Sequence, residues 1–215
     1  MESNILTDYQ RTKLDNSPDS IFYRDPRFVH HLDRSFRNRL TSLYSEVLSS
    51  DSVVLDLMSS WVSHLPKLKF NRVIGHGLNE LELKANSQLD EFWVQDLNLN
   101  QQIPLNNGSI DYCLLVAGWQ YLQYPEKVSA EIRRVIRPNG KFIISFSNRA
   151  FWNKSPNIWL EANDKERIKY VSSILTSQGW SIENSFYEIL SSRNFIDSLF
   201  FNSDPFFSVI AEASS

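Results

Sequence analysis

Two apolar runs, IDYCLLV (110–116) and KFIISFS (141–147), flank a single amphipathic stretch that opens on Pro125 and carries Val128, Ile132, Val135 and Ile136 on one face. A strand, a helix and a second strand so spaced are a parallel crossover unit, and near-continuous apolar strands belong to a sheet covered on both faces. Pro125 suits the first turn of that helix, and Pro138-Asn139-Gly140 ends it.

The same alternation extends in both directions. The spacing of Phe28, Leu32, Phe36, Leu40, Leu43, Tyr44 and Val47 predicts an amphipathic helix over 27–49. Strands are expected at 52–57, 70–75 and 91–95, with a short helix after Ser59 and Ser60 ending before Pro66 and another over 78–86. Pro104 and Asn106-Asn107-Gly108 make 97–109 a loop and turn. A helix over 163–178 is capped by Asn163 or Asp164 and stopped by Gly179. Strands at 180–188 and 206–212 close the chain with no helix between them, which implies an antiparallel edge hairpin. The expectation is an α/β fold, a doubly wound, mostly parallel seven-stranded sheet. Residues 1–50 read as an N-terminal arm and a lid-like helix, with 1–25 a loose arm, and residues 51–215 as the main domain.

Composition narrows the function classes. A formal net charge of −3 gives no electrostatic reason to expect nucleic acid. No run of eighteen apolar residues suggests a membrane span, and the N-terminus lacks an apolar signal core, so a cytoplasmic protein is expected. The single cysteine, Cys113, lies in an apolar run with no metal-ligand cluster around it, so no metal is expected.

The order VVLDL (53–57), VIG (73–75), QDLN (95–98) and then GSIDYCLLVAGWQYLQYPEKVSAEIRRVIRPNGKFIISFSNR (108–149) resembles class I S-adenosylmethionine-dependent methyltransferases of the type 11-like kind. The segment from Asp56 to Pro66 resembles a plant and cyanobacterial subgroup of them. The resemblance covers roughly residues 50–212. It implies a Rossmann-like sheet, S-adenosylmethionine as cofactor with S-adenosylhomocysteine as product, and a small-molecule acceptor. In that family an acid after the first strand balances the cofactor's amino group, an acid after the second strand takes the ribose hydroxyls, and an acid after the third takes the adenine amine.

Residue by residue, the resemblance places Asp56 at the first acid and Asp96 at the third, with Leu97 beside it, and Gly77 where the second acid would stand. Leu57-Met58-Ser59-Ser60-Trp61 occupies the family's Gly-x-Gly-x-Gly segment. Ser59 and Ser60 then stand in for backbone donors, and Asn79 or Glu80 reaches the ribose. Ala117 follows the fourth strand at the cofactor's edge. Trp61, Trp119, Tyr121, Arg149 and Trp152 are the candidate acceptor residues: the aromatics stack on a planar molecule or the sulfonium, and Arg149 takes an anionic group. His64 is a candidate general base. The alternative is a non-catalytic protein that keeps the fold and has lost the cofactor. A nucleotide oxidoreductase would need the absent glycine fingerprint, and a nucleic-acid methyltransferase an Asn-Pro-Pro-aromatic motif where Val116-Ala117-Gly118-Trp119 stands.

Overall fold

The computed structural model describes residues 5–190 and 203–214. In chain order the elements are α1 (Asp8–Arg11), α2 (Asp19–Phe22), α3 (Arg34–Val47), β1 (Val53–Leu57), β2 (Arg72–Gly77), α4 (Glu80–Ala85), β3 (Glu91–Val94), β4 (Ile110–Val116), α5 (Pro125–Val135), β5 (Ile136–Phe146), α6 (Asn157–Glu161), α7 (Asp164–Ser177), β6 (Trp180–Glu188) and β7 (Phe206–Ala213). One seven-stranded sheet runs in the order β3-β2-β1-β4-β5-β7-β6. The first five of these strands are mutually parallel, and β7 runs antiparallel to β5 and β6. The seven-stranded doubly wound sheet with its antiparallel edge stands as read from the sequence.

Strand periodicity divides the core between the two faces. Val53, Leu55 and Leu57 point into a cluster with Val128 and Ile132 of α5 and Val171 and Ile174 of α7. Val54, between them, joins Phe36, Leu40, Leu43 and Tyr44 of α3 on the opposite face, with Leu114, Ile143 and Ile210. All five residues of β1 are buried, as a central strand covered on both sides requires. α7 is held at its start by an Asn163–Glu166 capping box, and Gly179 follows it at φ +80°.

Several expectations need correction. α3 begins at Arg34 rather than at 27, because the Asp33 side chain accepts from Phe36 N at 2.8 Å and caps it there. The helix packs on the sheet, with Phe36, Leu40, Leu43 and Tyr44 buried, and Tyr23, Arg27, His31 and Leu32 before it border a cavity. No helix follows Ser60. Residues 58–71 are irregular, with Met58 and His64 both at φ +56°. The carbonyls that a helix would use are taken elsewhere: Asn86 Nδ2 donates to Ser60 O at 3.0 Å, and Thr41 Oγ1 to His64 O at 3.0 Å. β2 lies two residues later than expected and reaches Gly77. β5 starts at Ile136, with Arg137–Gly140 interrupting its pairing to β4 as an irregularity.

The N-terminal arm is packed rather than loose, with Leu6, Arg11, Lys13 and Asp19 buried. Lys13 Nζ pairs with Asp19 at 2.8 Å. The buried Lys154 ammonium lies 3.1 Å from Asp15 and 3.5 Å from Asp19, and donates to Ser17 O at 2.8 Å. Of the Phe-rich segment 194–207, residues 194–202 lie outside the described residues, and Phe206 and Phe207 are core. Among the described residues, no helix is long and apolar enough to cross a membrane.

Candidate functional site

The C-terminal ends of β1, β2 and β3 are laced together by one side chain. His76, on β2 and almost wholly buried, accepts from Met58 N through Nδ1 at 3.1 Å. Its Nε2 lies 2.9 Å from Gln95 O and donates to it, which fixes the neutral tautomer. Burial drives the His76 pKa down to about 4. Ser59 N donates to His76 O at 2.6 Å. Two amides of the turn after β1 are therefore spent within the protein.

Gly77 permits this closeness. A Cβ built there would stand 2.5 Å from Ser59 O. This is the steric reason that no acid occupies the position. Behind the turn, Asp56 is buried and accepts from Ser59 Oγ at 2.6 Å. Burial raises its pKa to about 6, against the opposing pull of the Ser59 and Ser63 hydroxyls.

Over these strand ends lies a cavity of about 600 Å³. Its floor is Met58, Ser59 and Ser60 of the β1 turn, His76 to Asn79 of β2 and beyond, Gln95 to Asn98 after β3, and Val116 to Gly118 after β4. Asn148 to Phe151, after β5, form one wall, and Asp19, Tyr23, Arg27, His31 and Leu32 form the roof. Where strand order reverses, between β1 and β4, open α/β sheets take their ligands. A smaller cleft of about 90 Å³ adjoins it, lined by Asp56, His30, Trp61 and His64 among others.

Of the candidate residues, Ser59, Ser60, Gly77, Asn79, Asp96, Leu97, Ala117, Tyr121 and Arg149 line the main cavity. Asp96 is half-buried, accepts from Asn98 N at 2.9 Å, and has its pKa raised by burial. Ala117 turns the chain at φ +49°. Asn79 has its side chain engaged, capping α4 and donating to Tyr23 O and Arg24 O. Tyr121 stacks on Phe151, and its hydroxyl accepts from Phe151 N at 3.1 Å. Arg149 is ion-paired with the buried Asp204.

Six candidates lie elsewhere. Asp56 and Trp61 face the smaller cleft, Trp61 packed on His30 with centroids 4.8 Å apart. His64 lies there too, with a pKa lowered to about 4 chiefly by burial. Trp119 is 1% exposed and packs in the core on Phe142 and Tyr170. Trp152 is 64% exposed and lies outside the cavity. Glu80 is paired with Lys84 on the exposed side of α4.

Sequence reasoning missed Tyr23, Arg27, His31, His76 and Glu82. Glu82 is buried and accepts from Arg27 N at 2.7 Å and Ser60 Oγ at 2.5 Å. Its sequence signal was Asn-x-x-Glu at a helix start, the capping-box spacing. The carboxylate turns instead toward the cavity. Among the described residues, no group of three or more His, Cys, Asp and Glu could hold a metal ion.

The fold defines a class: the chain has the fold of the class I S-adenosylmethionine-dependent methyltransferases. Residues 49–144 match the family model described as a methyltransferase domain. A S-adenosylmethionine-dependent methyltransferase from Aquifex aeolicus superposes with a TM-score of 0.57 at 16% identity, covering 91% of this chain and 97% of that one. One from Mesorhizobium loti gives 0.57 at 14% identity, covering 80% and 96%. The [4+2]-cyclase SpnF gives 0.57 at 13% identity, covering 82% and 81%. No curated protein matches the sequence.

Proposed function

We propose that this chain transfers a methyl group from S-adenosylmethionine to a small-molecule acceptor, both held in the 600 Å³ cavity. The carrying observation is that cavity's place and lining: it crosses the switch point of the sheet, and its volume falls within the about 300–1,000 Å³ of small-molecule sites. The donor set suits an adenosyl ligand. Asp96 would take the adenine amine beside Leu97. The family's ribose acid is replaced by Glu82, whose carboxylate retains lone pairs beyond the two bonds it accepts. Ser59, Ser60 and Ala117 would border the methionine part.

The cofactor supplies an electrophilic methyl on sulfonium sulfur. The chain's own part is placement and exclusion of water. Tyr23, Arg27 and His31 roof the cavity, and Tyr121 with Phe151 walls the acceptor side. His31 has its pKa lowered by burial and by the Arg27 charge, so it is neutral near pH 7 and able to accept an acceptor's proton.

One observation favours the second reading, a fold that has lost its cofactor: Asp56 bonds Ser59 and faces away from the main cavity. Titration calorimetry with S-adenosylhomocysteine separates the two. Binding is expected in wild type and about tenfold weaker in Asp96→Ala, as loss of one hydrogen bond to a charged group implies. No heat at millimolar ligand would overturn the proposal.

A further inference from the structure

Arg27 poses a problem that the proposed reaction leaves open. Its guanidinium is enclosed by three rings, with centroids at 4.4 Å for Phe22, 5.3 Å for Phe151 and 5.5 Å for Tyr23. Nη2 donates to Phe22 O at 3.0 Å. Nη1 is buried and has no hydrogen-bond partner. Among the described residues Arg27 makes no salt bridge, although it borders the cavity. Apart from Asp96, which accepts from Asn98 N and is assigned to the adenine amine, the other charges there are engaged. Arg149 holds Asp204, Asp19 holds Lys13 and Lys154, and Glu82 accepts from the Arg27 backbone and from Ser60. A buried guanidinium nitrogen with an unmade bond is costly, and the fork geometry of the group matches a carboxylate.

Resting on the methyltransferase reading, we propose that the acceptor is a planar molecule bearing a carboxylate, and that Arg27 is its specificity-determining residue. The acceptor side of the cavity is favoured over the cofactor side by what surrounds the guanidinium. Phe151 follows β5, and the Arg27 charge acts on Tyr121, which follows β4. The Tyr121–Phe151 stack then offers an aromatic face beside the cation. His31 adds a neutral ring at the same roof, and its lowered pKa reflects the Arg27 charge as well as burial.

The test uses the full chain and a panel of benzoates, cinnamates and indole carboxylates, each paired with its neutral amide. Binding is measured by calorimetry with and without saturating S-adenosylhomocysteine, on wild type, Arg27→Lys and Arg27→Met. At least one carboxylate should bind wild type about tenfold or more tighter than its amide, as a bond to a charged group implies. That preference should fall below about twofold in Arg27→Met and be partly kept in Arg27→Lys, with amide binding weakened far less than carboxylate binding. A merely structural role would weaken carboxylate and amide alike. The proposal is overturned if no carboxylate of the panel is preferred, or if the preference survives Arg27→Met. It is also overturned if Arg27→Met weakens S-adenosylhomocysteine tenfold while leaving 5′-methylthioadenosine unaffected, which would give Arg27 to the cofactor's own carboxylate. Carboxylate preference in a chain that shows no S-adenosylhomocysteine binding would sink the methyltransferase reading and leave the anion site standing.

Discussion

Gly77→Ala should destabilise the protein although the position lies at a strand end and asks for no unusual backbone. The added Cβ would stand 2.5 Å from Ser59 O and 3.3 Å from Leu83 Cδ2, where ordinary contact begins at 3.4 Å. A side chain could rotate aside, but Ser59 O is backbone, held by the bonds from Ser59 N to His76 O at 2.6 Å and from Met58 N to His76 Nδ1 at 3.1 Å. Overpacking of this kind costs about 1–3 kcal/mol, and stretching one of those bonds adds about 1 kcal/mol. For a chain of this length the sum lowers Tm by roughly 5–15 °C. Thermal unfolding followed by circular dichroism reads it directly.

Gly108→Ala is the control. Gly108 sits at φ +56° with nothing within 4 Å of a built Cβ, so only left-handed strain applies, about 1 kcal/mol. If Gly77→Ala melts within about 1 °C of wild type, or no lower than Gly108→Ala, the close approach is not what keeps a glycine there. Gly77→Asp, which restores the acid that the family places at this point, should be at least as damaging and should give no gain in S-adenosylhomocysteine affinity.

Three further outcomes can be checked. The Asp56 carboxyl has its folded pKa raised from 3.8 to about 6, so the native state holds the extra proton and stability falls as pH rises through that window, by about 3 kcal/mol in all. Asp56→Asn should remove this descent from urea-derived stabilities taken between about pH 4 and 6, and an unchanged profile would refute the assignment. Lys154→Met strips the buried cation from Asp15 and Asp19, at about 3 kcal/mol because Asp19 keeps Lys13, and should let chymotrypsin cut the arm before the core; equal cleavage rates in variant and wild type would count against the clamp. Trp119→Ala should cost about 3–5 kcal/mol and Trp152→Ala less than about 0.5 kcal/mol in denaturant unfolding, since one ring is core and the other solvated.

The fold was legible wherever burial alone dictates sequence. Val53 to Leu57, Ile110 to Val116 and the stripe Val128, Ile132, Val135 are apolar because both faces of the sheet are covered, and no other pattern would serve. Helix bounds were less legible. Leu32 and Phe28 keep helical spacing upstream of α3, yet Asp33 caps the helix after them, and a capping side chain outweighs one more apolar turn. The absent helix after Ser60 was hidden for a similar reason: its competitors, Asn86 and Thr41, are distant in sequence and meet Ser60 and His64 only in the folded chain. The cavity's lining was legible through Asp96, Ser59 and Ser60, just past strand ends, and through Tyr121 in the loop after β4. Arg27, His31 and Asp19 reach the cavity from the arm, and nothing in an irregular polar stretch announces that it will fold back over the sheet.

The missing glycines of the first turn take on a different meaning once the neighbouring strands are in view. Glycine in such a turn serves close approach of backbone. Here that need has been moved rather than lost. Ser59 comes near β2 because the bare position is Gly77, on the neighbouring strand, and Met58 lies over β4 because Gly118 is bare: a Cβ there would meet Met58 Cβ and Sδ at 3.0 Å. His76 then spends the amides of Met58 and Ser59 on holding the turn. The turn is thus a rigid, side-chain-bearing floor, where the glycine version offers free amides to a ligand. On the proposed reading the cofactor would be gripped by Asp96 and Glu82 and the acceptor by Arg27 of the roof, and S-adenosylhomocysteine binding should depend on Asp96 and Glu82 more steeply than on Asp56.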